Sequence, residues 1–487
     1  MKLTISYDPW REQPFFIPRS ADSAVPLPQF THLSTTVPKR ESTIRDALIA
    51  LIDSATQRVF VCSFLVGGEA MRDVLRRAAQ RLCGHVYVVV ALDEKSLQRG
   101  LELEPNQVDP DDLKREIKNF EALTRHGIYV RGAENCHAKF CIVDDRAALV
   151  GSANFDPNGL GEEGGVPCGE LGIVIDGSER VAPLAQLFRH LWKCGCQREA
   201  PPLRDDYRLS GVSPITEALP SVPKGSDAVV WTGFKSTAIL AGIQSVITTA
   251  QHTLLLASYS FTSMREKPAL ILDALAAARK RGVQVELLLR DRSRDLPEIA
   301  ALIDLGVEVR ANRDNHAKYA IADGDNGLLF SANFDGVHGL TDGIETGVWL
   351  RPDEASEVEQ WHSQMWREAP TLAAQWPTAN DFAKAVPDIL CECPPFFGES
   401  LRITGDAETI KRCAAMLEGP CLIVGDHGQR LVGFQDVIRL EPTGTEMKAV
   451  GLDRNDAMFL PLPRLIAMGQ QRRPSAWLPL GLEIHLP

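Results

Sequence analysis

The feature that most constrains this chain is a duplication. Asn135-Cys-His137-Ala-Lys139-Phe-Cys-Ile-Val-Asp144 is echoed by Asn315-His316-Ala-Lys318-Tyr-Ala-Ile-Ala-Asp323. Fifteen residues after each histidine stands Ser-Ala-Asn-Phe-Asp, at Ser152 to Asp156 and again at Ser331 to Asp335. Ten residues before each histidine, Gly127 and Gly306 open a Gly-x-x-Val-Arg segment. A fourth landmark, Glu170-Leu-Gly172-Ile against Glu345-Thr-Gly347-Val, follows the histidines at offsets of 33 and 29. Gly164-Gly165 suits a looped-out insertion that accounts for the longer spacing. Four landmarks in one order define two copies of one structural unit, and any fold has to accommodate both.

Between the landmarks, helix and strand signals alternate. In the first copy, Ile44, Ala47, Leu48 and Leu51 recur at helical spacing within 44–52. A strand-like run at 58–64 follows, then a helical pattern at 71–82 and an apolar strand at 86–92. The second copy repeats this order as a helix at 239–249, a strand at 253–258, a helix at 270–280 and a strand at 283–289. Near-continuous apolar strands between helices predict an α/β fold of two pseudo-symmetric halves, each a mixed sheet flanked by helices. Each motif is expected to open a strand, at 139–143 and 318–322, with partner strands at 147–150 and 327–330. Alternation then puts histidine and lysine on one face, with Ser and Asn at the neighbouring strand ends.

The expected organisation is an N-terminal extension at 1–40, a first half at 41–199, a Pro-rich linker at 200–226 and a second half at 227–370. A small β-rich or α+β module follows at 380–487, with β runs at 421–424 and 429–434. From Ser63 to His137 is 74 residues, against 58 from Ser258 to His316, so the first copy holds a 16-residue excursion. The acidic stretch at 94–112 falls within this longer spacing and is expected to form a loop near the site.

Charge limits the partners. The 487 residues carry 52 Lys and Arg against 64 Asp and Glu, for a formal charge of −12. Long-range steering toward polyanions needs positive potential, so any nucleic-acid contact has to be a local groove. The C-terminal 380–487 segment, with 11 basic and 14 acidic residues, suits a protein partner or regulation better than DNA. No run approaches the roughly 20 apolar residues of a membrane helix, and the N-terminus lacks a signal-peptide pattern. Eleven scattered cysteines then fit reduced thiols and a cytoplasmic location. Cys194-Gly-Cys196 and Cys391-Glu-Cys393 have no histidine at ligand spacing, so no metal is expected.

Two histidines, two lysines, two asparagines and two serines converging on one cleft suit an anionic tetrahedral centre. Lysine offers compact charge to phosphate oxygens, while Ser and Asn add neutral hydrogen bonds. One imidazole can attack phosphorus to form a covalent phospho-histidine, and the other can protonate the leaving alkoxide and later activate water. The carboxylates fit roles behind the imidazoles, holding tautomer and orientation. No metal or other cofactor is required, because the lysines supply the charge stabilisation.

These paired His-x-Lys-x-x-x-x-Asp motifs, each followed by Ser-x-Asn, resemble the phospholipase D superfamily, the HKD enzymes. The resemblance covers roughly residues 40–370 and implies one site at the interface of two halves. It implies catalytic roles for His137, Lys139, Asp144, His316, Lys318 and Asp323. It implies phosphate binding by Ser152, Asn154, Ser331 and Asn333, and histidine orientation by Glu170 and Glu345. His137 is expected to be the nucleophile.

The expected activity is a metal-independent phosphodiesterase, a nuclease on DNA or RNA, of a defence or restriction kind. The alternative is phospholipase D or phosphatidyltransferase action on phospholipid. A further alternative is a partner-activated or scaffold protein that keeps the fold and binds a protein through its C-terminal module. Other residues read more plainly. Ser63 and Ser258 suit strand-end capping; Trp231, Tyr259, Phe261 and Trp349 suit the core. Arg290, Arg292, Arg294, Arg310 and Arg313 are interleaved with Asp291, Asp295 and Asp314, so they suit a salt-bridged face as well as a phosphodiester track.

Overall fold

The computed structural model describes residues 28–374 apart from 41, 92–121, 201, 203–209, 224, 226–227 and 293–294, together with strand segments between 2 and 18 and between 390 and 451. The acidic excursion at 94–112 and part of the 200–226 linker lie outside the described residues. The chain forms two compact units. One comprises Val25–Glu308 with Asn312–Trp366, and the other Met1–Ala24, Val309–Ala311 and Arg367–Pro487. In the latter, Arg402–Thr404, Glu446–Gly451 and Ile438–Thr443 form an antiparallel sheet. Pro420–Gly425 pairs with Gly428–Gly433 as a hairpin, where the β runs were expected.

The larger unit holds both copies. The first runs β1 (Leu33–Thr36), α1 (Thr43–Asp53), β2 (Val59–Ser63), α2 (Glu69–Arg81), β3 (Val86–Ala91), β4 (Tyr129–Ala133), β5 (Phe140–Val143), β6 (Ala147–Gly151), β7 (Glu170–Asp176) and α3 (Ser178–His190). The second runs β8 (Val229–Gly233), α4 (Ala238–Thr249), β9 (Thr253–Ala257), α5 (Leu272–Lys280), β10 (Gln284–Leu289), α6 (Leu296–Asp304), β11 (Tyr319–Ala322), β12 (Asn326–Phe330), β13 (Glu345–Leu350) and α7 (Pro352–Glu368). Strand order β3-β2-β5-β6-β7-β1 in the first sheet is matched by β10-β9-β11-β12-β13-β8 in the second. In each, the pair β2/β3 or β9/β10 is parallel and the strands from the motif onward are antiparallel. The mixed sheet follows from two connection types. A helical crossover returns a strand parallel, whereas the tight turn between β5 and β6 gives a hairpin.

Local sequence explains the elements. Ser42 caps α1 by accepting from the Arg45 N–H, and Ile44, Leu48, Leu51 and Ile52 form the buried stripe of that helix. All five residues of β2 are buried, as are the four of β5 and the five of β6, which is why these strands read as unbroken apolar runs. Each large aliphatic side chain so buried contributes about 1.5–3 kcal/mol.

The copies are locked together. Arg180 on α3 donates bidentately to Glu354 on α7, with both contacts at 2.8 Å, and also to the Trp349 carbonyl at 3.0 Å. The Glu357 carboxylate of α7 accepts from the backbone N–H groups of Thr31, His32 and Leu33 at 2.7–2.9 Å, where β1 of the other half begins. The Arg180–Glu354 pair has only 4% of either side chain exposed, so removing one partner strands a buried charge. Arg180→Met is expected to cost about 3–5 kcal/mol in urea unfolding. The double variant Arg180→Met/Glu354→Gln should recover part of that loss, and a loss no smaller in the double variant would show that the pair is not coupled.

Candidate active site

The motif residues lie just ahead of β5 and β11 rather than within them, since each strand begins one residue after the lysine. This lead-in is extended because it pairs with the other half. Cys136 bridges to Ile344 and Asn315 bridges to Gly169, both in parallel. The His137 N–H donates to the Ile344 carbonyl at 2.9 Å, and the His316 N–H to the Gly169 carbonyl at 3.0 Å. Ile344 and Gly169 are the residues immediately before Glu345 and Glu170. Backbone pairing therefore sets each glutamate beside the histidine of the opposite copy.

The side chains complete the crossing. His137 Nδ1 lies 2.9 Å from Glu345 Oε1, and His316 Nδ1 lies 2.5 Å from Glu170 Oε1. The second oxygen of each carboxylate accepts from a serine of its own half, Ser331 Oγ to Glu345 and Ser152 Oγ to Glu170, both at 2.5 Å. Two Ser–Glu–His chains result, each spanning the interface. Ser152 and Ser331 are fully buried and committed to these carboxylates. That corrects the expectation that they bind phosphate: their hydroxyls orient the glutamates.

Burial alone would raise Glu170 and Glu345, but the facing imidazole and lysine charges and the hydrogen bonds outweigh it and hold both below the usual carboxylate range. Burial likewise lowers both histidines, His316 to about 4. Near neutral pH each ring is uncharged. An ionised carboxylate only accepts, so Nδ1 carries the proton and Nε2 keeps its lone pair. The side chains of His137 and His316 keep 23% and 14% of their surface open, enough for Nε2 to meet a small group.

Lys139 and Lys318 are wholly buried, and each Nζ donates to the carbonyl of its own histidine at 2.5 Å. Burial lowers both ammonium groups, Lys318 to about 7, against the pull of Glu170 and Glu345. Two carboxylates thus face two buried lysines, of which Lys318 is only partly protonated near neutral pH, beside a pair of neutral imidazoles. Asn154 and Asn333 are held by a close backbone approach. A Cβ on Gly159 would lie 2.1 Å from the Asn154 carbonyl oxygen, and one on Gly339 would lie 2.4 Å from that of Asn333. Their Oδ1 atoms are buried with no hydrogen-bond partner among the described residues, which leaves both halves a matched vacant acceptor.

Asp144 and Asp323 do not join this group, which corrects the catalytic role expected for them. Each sits at the far end of its motif strand, roughly 20 Å from the histidine at about 3.3 Å per residue. Both adopt positive φ, 55° and 52°, a conformation Asp tolerates in a tight turn. Asp144 accepts from the N–H groups of Thr56, Gln57 and Arg58 and from the Thr56 hydroxyl. Asp323 accepts from those of Gln251, His252 and Thr253. Both carboxylates clamp the turn that starts β2 or β9.

Sequence reasoning missed two residues of the rim. Phe64 packs edge-on against His137 at 5.4 Å, and Tyr259 against His316 at 5.0 Å. Both follow the matched Ser63 and Ser258, so their equivalence was visible in the duplication. Tyr259 therefore belongs to the site and not to the core. The two serines cap strand ends as expected: Ser63 Oγ donates to the Leu65 carbonyl, Ser258 Oγ to that of Ser260, and they accept from the Phe155 and Phe334 N–H groups.

The family model described as "Cardiolipin synthase, PLD-like domain" matches residues 48–192 and 243–366, more than half of the chain. The chain belongs to this phospholipase D-like family. Among solved structures, phosphatidylserine synthase from Haemophilus influenzae Rd KW20 is similar with a TM-score of 0.50 and 14% identity, covering 74% of this chain and 89% of that one. Nuc from Salmonella typhimurium, a phospholipase D family member, is 22% identical over 31% of this chain and 98% of its own, with a TM-score of 0.26. Polyphosphate kinase from Porphyromonas gingivalis is 14% identical over 66% of this chain and 44% of its own, with a TM-score of 0.43. No curated protein matches. The two phospholipase D-like halves coincide with the two sheets, and the crossed chains stand where the halves meet.

The depressed histidines predict a pH signature. The unfolded chain takes up a proton near 6.5, whereas folded His316 resists it until about 4. The stability due to its neutral state is complete above 6.5 and is lost as pH falls from 6.5 toward 4. His316→Gln should therefore lose less Tm between pH 7 and pH 4.5 than the unaltered protein. Equal losses in both would show that this ring is not held neutral.

Proposed function

We propose that this protein hydrolyses phosphodiesters without a metal, through a covalent phospho-histidine, and that its substrate is nucleic acid. The pair of crossed Ser–Glu–His chains carries the reading: two oriented imidazoles stand at one interface, each close enough to feel the charge of both lysines. A bound diester adds one negative charge beside the two lysines and the two imidazoles. That charge favours one added proton, which converts one imidazole to the acid. His137 Nε2 attacks phosphorus, the P–O bond to the leaving group breaks, and the His316 imidazolium gives its proton to the departing alkoxide. His316 Nε2 then takes a proton from water, which attacks phosphorus and releases His137. Lys139 and Lys318 stabilise the oxygens of the transition state, and the Asn154 and Asn333 amides border the cleft.

Nucleic acid is favoured by the flank beside His316, where the Arg290 and Arg292 guanidiniums lie 5.1 and 4.7 Å from the Tyr259 ring centre. A cationic aromatic flank suits a chain of phosphates and bases. Phospholipid is the second reading, supported by the description of the matched family model and by the 40% exposed Phe64 beside His137. Among the described residues no helix is long and apolar enough to cross a membrane.

Purified protein in EDTA should cleave single- or double-stranded DNA or RNA and leave phosphatidylcholine vesicles intact. Choline release without nucleic-acid cleavage would reverse the choice of substrate, and loss of all activity in EDTA would overturn the metal-free mechanism. With a diester bearing a good leaving group, His316→Ala should accumulate phosphate on His137, read by mass spectrometry after an acid-free quench. An adduct on His316 in a His137→Ala protein would exchange the two roles. Lys139→Ala or Lys318→Ala should slow turnover on the order of 100- to 1000-fold.

A further inference from the structure

The duplication breaks at one place beside the site. Ser63 pairs in register with Val90. Ala257 pairs with Leu288, and continuing that register sets Ser258, the equivalent of Ser63, opposite Leu289, so the next residue is Ala91 in the first half and Arg290 in the second. The fold tolerates alanine at this position, so packing does not require the guanidinium.

Arg290 is half-buried and poorly satisfied. Among the described residues its one hydrogen bond goes to the Cys168 thiol at 3.5 Å, a weak acceptor contributed by the other half. Among the described residues no carboxylate pairs with it, whereas neighbouring Arg292, with 11% of its side chain exposed, is paired with the buried Asp295 at 3.6 Å. Arg290 is not fully buried, so solvent and a ligand can reach part of it. Tyr259 holds the two guanidiniums against its ring while its edge meets His316. One uncompensated cation thus stands a ring's breadth from the reacting imidazole on the His316 side. In the first half the described counterparts of Tyr259 and Arg290 are Phe64 and Ala91, both apolar.

We propose that Arg290 is a specificity-determining residue that binds a second phosphate of a nucleic-acid strand, the one on the His316 side of the scissile diester. This rests on the nuclease reading and adds the direction of the strand: the neighbouring phosphate lies over Tyr259, and the Phe64 side takes a base or sugar. A half-buried guanidinium is weakly hydrated and presents a planar fork, which favours phosphate over a point-charge contact.

The test compares a 5′-labelled single-stranded oligonucleotide with bis(p-nitrophenyl) phosphate, a diester with no second phosphate. In Arg290→Gln, the ratio of kcat/KM on the oligonucleotide to that on the small diester should fall at least about tenfold, the scale of one charged hydrogen bond. Arg290→Lys should restore part of the ratio. The slope of log kcat/KM against log salt on the oligonucleotide should flatten by about 0.7 in Arg290→Gln, the share of one single-strand phosphate contact. An unchanged ratio and slope, or a parallel loss on both substrates, would overturn the assignment while leaving the nuclease reading intact. An unaltered protein that hydrolyses the small diester but no oligonucleotide would overturn both. Dependence on Arg290 with cardiolipin vesicles alone would transfer the second phosphate to a lipid and contradict the proposal.

Discussion

Two carboxylates buried between two copies of one fold, each bonded to the imidazole of the other copy, are the constraint on which the rest of this structure depends. Neither half can complete a site alone. The His137 ring is oriented by Glu345, 208 residues away, and the His316 ring by Glu170, 146 residues away. The backbone bridges at Cys136–Ile344 and Asn315–Gly169 fix the crossing before any side chain acts. The Arg180–Glu354 and Glu357 contacts tie the same halves farther out.

Burial makes this arrangement costly and useful at once. An isolated buried carboxylate would take up a proton, and an isolated buried lysine would lose one. Here each meets opposite charge and hydrogen bonds, so Glu170 and Glu345 stay ionised and the imidazoles stay neutral with Nε2 free. Serine hydroxyls that close the other carboxylate oxygens keep the glutamates from rotating away. The site is thus organised before substrate arrives, and in a low-dielectric pocket fixed charges act more strongly than in water.

Much of this was legible in the chain. The duplication, the sheet-forming runs, the halves and the paired His, Lys, Asn and Glu all stand in the sequence, because repeated polar residues on apolar strands have no packing rationale. What it hid was partnership. Spacing placed Ser152 and Asn154 together, but only the fold shows the Ser152 hydroxyl turned to Glu170 and the Asn154 oxygen left vacant. Asp144 read as part of the motif, yet a four-residue strand carries it to the opposite end of the sheet. Tyr259 looked like core because aromatic residues after a buried strand usually are. The crossing itself has no local signature, since each glutamate follows its own histidine in the chain and serves the other.

That crossing is tested most directly by ring ¹⁵N resonances of the two histidines, assigned through His137→Gln and His316→Gln proteins. Glu345→Gln should move the Nδ1 and Nε2 signals of His137 and leave those of His316 in place, while Glu170→Gln should do the reverse. The opposite pattern, with each substitution perturbing the histidine of its own half, would contradict the account.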